Sequence, residues 1–277
     1  MKKIFIKLYA FVNSWVGTII IVLGIIFFVA QAFVIPSGSM LNTMLIGDNL
    51  FVKKFAYGIP TPTIPWIELK VLPDFRGNGH LFEGERPKRG DIVIFRYPHF
   101  PKIHYVKRNV AVGGDEVLYT QKGLWVHFGS DSIYQDEAAQ TLQFRGKTFY
   151  YDPYLATHSG VQYLDVFPDA FTQLEILSQQ GESLGMERVQ LSNGELAFFA
   201  RVQEEEFFMM GDNRNNSNDS RFWGAVSYKY VIGKPWFVYF SWDDNFKIRW
   251  ERIGRSIESL EKQIQNSKTI ESQNAEM

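Results

Sequence analysis

Between Val12 and Val34 the chain reads VNSWVGTIIIVLGIIFFVAQAFV, without one charged residue. As a single helix rising 1.5 Å per residue this stretch would extend about 35 Å, against a bilayer core of roughly 30 Å. A run that is apolar on every face, at a terminus and behind Lys2, Lys3 and Lys7, points to lipid more than to a buried core helix. The next cations are Lys53 and Lys54, so the positive-inside bias puts residues 1–11 in the cytoplasm and everything after the span outside. Ala30-Gln31-Ala32 has the small-x-small form of a leader cleavage site, but the run is longer than the roughly 7–15 apolar residues of a removable leader. The expectation is therefore an uncut, single-pass anchor over residues 12–34 in the cytoplasmic (inner) membrane, with the remaining domain periplasmic.

Beyond the span the signals are those of strands. Pro36 biases Ile35 away from helix, and Ser37-Gly38-Ser39 reads as a turn just outside the membrane. Leu50 to Phe55, Asp91 to Tyr97 and Ile103 to Val112 are rich in β-branched and aromatic residues and bounded by Gly or Pro. The proline- and glycine-rich stretch from Gly58 to Gly90 reads as an irregular connection, with at most a short helix near Trp66 to Val71. Residues 116–206 carry short strand signals and one helical stretch, Phe167 to Leu177. A final pair of strands is expected at Val226 to Ile232 and Trp236 to Ser241. The predicted fold class is mainly β: an N-terminal transmembrane helix, a β-rich core over 35–115 and 207–253, and a second β subdomain inserted at 116–206. In the polar tail, 254–277, Ile257, Leu260 and Ile264 form only a faint helical stripe, and the expectation there is disorder.

Several chemistries are excluded early. With 29 Lys+Arg against 30 Asp+Glu there is no basic excess to draw the chain to nucleic acid. No cysteine is present, which removes disulfides, thiolate metal sites and a cysteine nucleophile. His80, His99, His104, His127 and His158 show no ligand spacing, so neither a metal nor a cofactor is expected. No G-x-S-x-G elbow or phosphate-binding glycine loop occurs. Lys107 is more informative. In IHYVKRNVAV a two-residue period puts Ile103, Tyr105 and Lys107 on one face of a strand that should be buried, and His104 on the other. Burial disfavours the ammonium form, and a lysine so neutralised is the general base of Ser-Lys catalysis. Taken singly, Lys107 reads as a snorkelling or ion-paired lysine and Ser39 as a turn serine.

Together the segments resemble something specific. Ser37-Gly38-Ser39-Met40 after Pro36, the continuation IGDNLFVKKFAYG (Ile46 to Gly58), RGDIVIF (Arg89 to Phe95), YVKRNVAVGGD (Tyr105 to Asp115) and GDNRNNSNDSRFWG (Gly211 to Gly224) are similar, in order, to the motif blocks of bacterial type I signal peptidases. The resemblance implies a membrane-bound serine endopeptidase that removes leader peptides from exported preproteins after small residues. It implies Ser39 as nucleophile and Lys107 as general base, acting through an acyl-enzyme, with the Ser39 N–H and the Ser37 hydroxyl at the oxyanion. Ser217 would orient Lys107 by a hydrogen bond. Asp219 with Arg221, and Arg108 with Asp212, would form supporting charge pairs, and Phe33, Ile35, Met44 and Val106 the substrate pocket. Expected partners are signal-peptide-bearing preproteins, membrane lipid and the secretion machinery. The chain departs from the pattern at Asn42, where proline is usual and whose replacement should loosen the turn, at Asn215 for aspartate and at Gly113 for proline.

Overall fold

The computed structural model describes residues 2–64, 69–129 and 139–275. Two antiparallel sheets dominate, in keeping with the mainly β expectation. The first has seven strands, in the order Ala30–Val34, Asp48–Lys53, Val231–Ser241, Ile92–Tyr97, Phe100–Val112, Glu206–Met210 and Val226–Ser227. The second has six: Thr141–Phe144, Lys147–Tyr151, Gly123–His127, Glu116–Thr120, Leu196–Arg201 and Glu187–Gln190. The expected last pair of strands is one long strand, Val231–Ser241, preceded by the two-residue Val226–Ser227. Pro235, opposite Val52, stands just before an irregularity in the long strand's pairing, a place that tolerates a residue without an N–H.

Period-2 patterning explains how these sheets bury their faces. In the first, Ile92 and Ile94 face one core with Leu50, Val106 and Val238, while Val93 and Phe95 face another with Phe207, Met209 and Tyr228. In the second, Val117, Tyr119, Val126 and Phe198 point to one side and Leu118, Trp125, Phe149 and Phe199 to the other. The first of these sides shares its core with Val110, Ala111, Phe208 and Met210 of the seven-stranded sheet. The inserted block is thus packed onto the core that precedes and follows it. Its expected helical stretch is the Ala170–Gln179 helix, N-capped by Asp169. Residues 66–68 of the expected short helix at Trp66 to Val71 lie outside the described residues; Leu69–Lys70 is a strand paired with Thr63–Ile64.

Two expectations need correction. The apolar run is not one helix: a first helix, Lys2–Val12, ends where Ser14 caps a second, Trp15–Gly24, by accepting a hydrogen bond from the Gly17 N–H. That helix continues as a π turn, Ile25–Val29, and then gives way to the Ala30–Val34 strand, which pairs with Asp48–Lys53 from Ala30 opposite Lys53 to Val34 opposite Asn49. Hydropathy cannot distinguish lipid-facing helix from edge strand in such a run; the five pairings claim its end for the sheet. The ten- and five-residue helical pieces together extend about 22 Å, and no helix among the described residues is long and apolar enough to cross a membrane.

The tail is also ordered where disorder was expected. Ile257–Ala275 is helical, and Ile257 and Leu260 are buried in the core beside Ile92 and Val238. The faint stripe is enough because two side chains reach a preformed apolar surface and Glu261 meets a buried arginine, Arg108, at 2.5 Å. Leu260→Ala is expected to lower the unfolding free energy by about 2–4 kcal/mol, and exposed Lys262→Ala to change it by less than about 0.5 kcal/mol, in urea titrations of the full chain.

Candidate active site

Ser39 stands in a single 3-10 turn, Gly38–Met40, reached from the Ala30–Val34 strand through Ile35, Pro36 and Ser37. Buried Ile35 and Met40 pin the two ends of this turn to the core, leaving Ser37 exposed and Ser39 half-buried. Lys107 comes from the Phe100–Val112 strand, opposite Val93 in the register. The two residues are 68 positions apart in the chain, yet Lys107 Nζ lies 2.5 Å from Ser39 Oγ. The Ser37 hydroxyl is 3.5 Å from that of Ser39.

Lys107 is only 4% exposed, and burial pushes its amine down from 10.5 to about 8. Asp219 and Asp212 pull the other way and Arg221 adds to the depression, each less strongly than burial. The Nζ also lies 5.4 Å from the Tyr105 ring centroid, as expected of two residues on one strand face. Both expected charge pairs form in buried, two-pronged geometry. Arg108 Nε and Nη2 each donate to Asp212 at 2.7 Å, and Arg221 Nε and Nη2 each donate to Asp219 at 2.8 Å. Burial alone would raise both carboxyls, but the adjoining guanidiniums hold them below the usual carboxylate range. Asp212 also accepts from the Thr43 hydroxyl at 2.6 Å, and Asp219 from the Gly211 N–H at 3.1 Å.

The site opens into a cleft of about 380 Å³. Of the four residues expected in the substrate pocket, Phe33, Ile35 and Val106 line it. Met44 does not: it is fully buried in the core behind, against Ile35 and Leu50. Ile103, Tyr105, Asn216 and Asn218 line it instead. His104 also borders the cleft, with its ring 5.7 Å from that of Phe33, although its side chain alternates with Lys107 along the strand. The reason is that Glu206–Met210 pairs with this strand only from Arg108 onward, so residues 103–107 present an edge to the cleft as well as a face. Such an edge escapes hydrophobic periodicity, which reports faces only.

Ser217 is a second departure. Its hydroxyl is buried and, among the described residues, makes no hydrogen bond, with Lys107 or otherwise. It packs over Gly211, where an added Cβ would fall 2.3 Å from Ser217 Oγ and 2.5 Å from the Ser39 carbonyl oxygen. Asn213, unmarked in the sequence reading, ties the two loops: its N–H donates to the Ser39 carbonyl at 3.1 Å and its Nδ2 to that of Gly38 at 3.2 Å. Asn42 has φ +79°, a left-handed conformation closed to proline, whose ring holds φ near about −65°. Asn215 Nδ2 donates to the Leu164 carbonyl at 2.8 Å, which an aspartate could not do.

Comparison with known proteins gives the family. The model of the family described as signal peptidase, peptidase S26, matches residues 8–242. Signal peptidase I of Helicobacter pylori (strain J99) is 50% identical over 284 residues, which span 95% of this chain and 97% of that protein. Signal peptidase I of Pseudomonas aeruginosa is 32% identical over 243 residues, covering 84% of this chain and 72% of that protein.

The buried amine has a consequence for stability. Its folded value of about 8 lies below the ordinary 10.5, so the unfolded chain binds the extra proton between these two pH values. Stability therefore rises with pH across that window, and below it the buried amine costs the fold about 3 kcal/mol. Lys107→Met is expected to stabilise the protein at pH 7 by about 2–3 kcal/mol and to lose that advantage near pH 10.5, in urea unfolding at the two pH values.

Proposed function

The chain belongs to the signal peptidase family, peptidase S26, and from that membership we propose that it is a serine endopeptidase that cuts signal peptides from preproteins with Ser39 and Lys107. The observation that carries the assignment is the 2.5 Å contact between Ser39 Oγ and a buried Lys107 Nζ. With the amine neutral, the serine hydroxyl donates to its lone pair. Nζ takes the proton as Oγ attacks the scissile carbonyl carbon, giving a tetrahedral intermediate whose oxyanion accepts from the Ser39 N–H and the Ser37 hydroxyl. The resulting ammonium protonates the leaving nitrogen, the C–N bond breaks, and the leader remains as an ester on Ser39. Water then gives a proton to Lys107 and attacks the ester; as the C–O bond breaks the ammonium returns that proton to Ser39 Oγ, and the leader leaves as a carboxylic acid that ionises in water.

Asp212 and Asp219 support this chemistry through what they leave undone. Each is occupied by an arginine, so neither is free to hold Lys107 as an ammonium. Substrate choice follows from the cleft. Ile35, Val106 and Phe33 wall it with packed apolar groups, which suits alanine-sized side chains at the first and third positions before the cut and rejects bulky ones. An extended substrate would run along the open edge at residues 103–107, presenting alternate side chains to these walls.

The apolar N-terminus supports a membrane anchor. Along the second helix Val16, Ile19, Ile20 and Val22 are 64%, 54%, 52% and 47% exposed, a large apolar surface in a helix that carries no charge. On this reading lipid covers that helix, the lysines before it stay in the cytoplasm, and the cleft faces the periplasmic side.

Purified chain in detergent, with a preprotein carrying an A-x-A site, tests the assignment. Ser39→Ala and Lys107→Met are each expected to lower kcat at least about a thousandfold while the protein stays folded. Since the neutral amine is the active form, kcat/KM should rise about tenfold per pH unit up to about 8 and level off above. Cleavage that survives either substitution, or a rate independent of pH across that range, would reject the dyad. Replacing the alanine before the cut by tryptophan should abolish cleavage.

A further inference from the structure

Gln162 lies in the inserted block, far in sequence from both Ser39 and Lys107, yet it touches both loops that build the site. Its N–H donates to the Asp212 carbonyl at 2.9 Å and its own carbonyl accepts from the Arg214 N–H at 2.9 Å. Those two bonds use the main chain and would survive any side chain. The side chain makes two more, to the loop that carries the nucleophile. Gln162 Oε1 accepts from Asn42 Nδ2 at 2.6 Å, and Gln162 Nε2 donates to the Leu41 carbonyl at 3.3 Å. The half-buried amide thus bridges Leu41 and Asn42, just after Ser39, to the frame formed by Asp212, Asn213 and Arg214.

The conformation of Asn42 explains why a side-chain link is needed there. At φ +79° the position cannot hold proline, so no ring stiffens the chain after the nucleophile. Asparagine tolerates the left-handed region but is not confined to it. Within the loop the Leu41 N–H donates to the Gly38 carbonyl at 3.1 Å and the Met44 N–H to the Met40 carbonyl at 2.8 Å, and the amide pair adds two side-chain bonds from outside it. The other tethers act elsewhere on the turn: Asn213 holds the Gly38 and Ser39 carbonyls, and the Thr43 hydroxyl reaches Asp212. Between Ser39 and Thr43, the Gln162 amide is the side chain that fixes Leu41 and Asn42 to the opposite loop.

We propose that Gln162 is a positioning residue for cleavage: through its amide pair with Asn42 and Leu41 it holds the nucleophile loop where Ser39 Oγ meets Lys107 Nζ. The inserted block thereby takes part in setting the reactive geometry. This inference rests on the Ser39–Lys107 reading above. It concerns the alignment of the reacting groups and leaves the substrate cleft untouched, since neither Gln162 nor Asn42 lines it. A displacement of about 1 Å at the reacting atoms can lower a rate on the order of a hundredfold, so the effect belongs in kcat and not in KM.

The test uses the full chain in detergent and a preprotein with an A-x-A site, with kcat normalised to folded enzyme. Gln162→Met removes both side-chain bonds at nearly constant volume. Asn42→Gly removes the 2.6 Å bond from the other side while keeping a residue at ease at φ +79°. Each is expected to lower kcat about tenfold or more with KM within about twofold, and the double variant to be no slower than Gln162→Met alone, because the bond that Asn42→Gly removes is already lost there. Val189→Ala, in the outer core of the same block, should lower stability without changing kcat. A kcat within about twofold of the unmutated chain in either single variant, or losses that multiply in the double, overturns the proposal. Should Gln162→Met fail to fold, Asn42→Gly decides alone. The dyad is judged separately: cleavage that persists in Ser39→Ala overturns both readings, whereas a dead Ser39→Ala beside a fully active Gln162→Met overturns only this one.

Discussion

A lysine amine buried to 4% exposure beside a serine hydroxyl is the constraint around which this molecule is arranged. An amine in that position is useful only while it is uncharged, and every carboxylate within reach works against that state. Asp219 and Asp212 both favour the ammonium. The fold answers by giving each a bidentate arginine partner, so that two full negative charges near the amine become two nearly neutral pairs. These ion pairs are poor candidates for raising stability, because desolvating four charges offsets much of what their attraction returns. Beside Lys107, Arg221 offsets part of the pull of Asp219 on the ammonium, while burial does the lowering of its proton affinity.

Holding two groups 2.5 Å apart from strands and turns far separated in sequence needs more than one tether. The antiparallel register fixes Lys107 opposite Val93 with no freedom to slip, since a shift of one residue would drive the lysine to the other face and Val106 out of the core. Ser39 has no such ladder. Its turn is held by buried side chains at Ile35 and Met40 and by polar links from Asn213, Thr43 and Gln162. Rigidity at the proposed base thus comes from a sheet and rigidity at the proposed nucleophile from a web of loop contacts. The web is the part that single substitutions can loosen while the fold survives.

What could be read from the amino-acid order follows this division. The strand bearing Lys107, its shared face with Tyr105, and the pairing of Arg108 with Asp212 and of Asp219 with Arg221 were legible, because strand periodicity and recurrent motif blocks carry them. Met44 and Ser217 were misplaced for a shared reason: which side of a turn a residue faces depends on its φ and ψ, which hydrophobic pattern does not encode. Ser217 points into the protein while its neighbours Asn216 and Asn218 line the cleft. The tail helix was missed because its two buried residues, Ile257 and Leu260, gain their apolar contacts from a surface built elsewhere in the chain. Gln162 gave no signal at all, since a lone glutamine between apolar residues in a loop looks the same whether it meets water or clamps a neighbour.

The apolar N-terminus joins these arguments to the proposed membrane setting. A helix followed by a floppy linker would leave the catalytic domain free to tumble above a bilayer. Here the chain passes from the Ile25–Val29 turn straight into a strand paired over five residues with Asp48–Lys53, and that same strand runs into Ile35 and the turn of Ser39. Fewer than ten residues therefore separate the apolar helix from the nucleophile, and half of them are locked into the sheet edge. Ladder hydrogen bonds hold that connection extended, so the distance from the helix end to Ser39 is set by strand geometry at about 3.3 Å per residue. On the proposed membrane reading, an anchor built this way would do more than retain the enzyme at lipid: it would fix the height at which a leader's cleavage site must emerge to be cut.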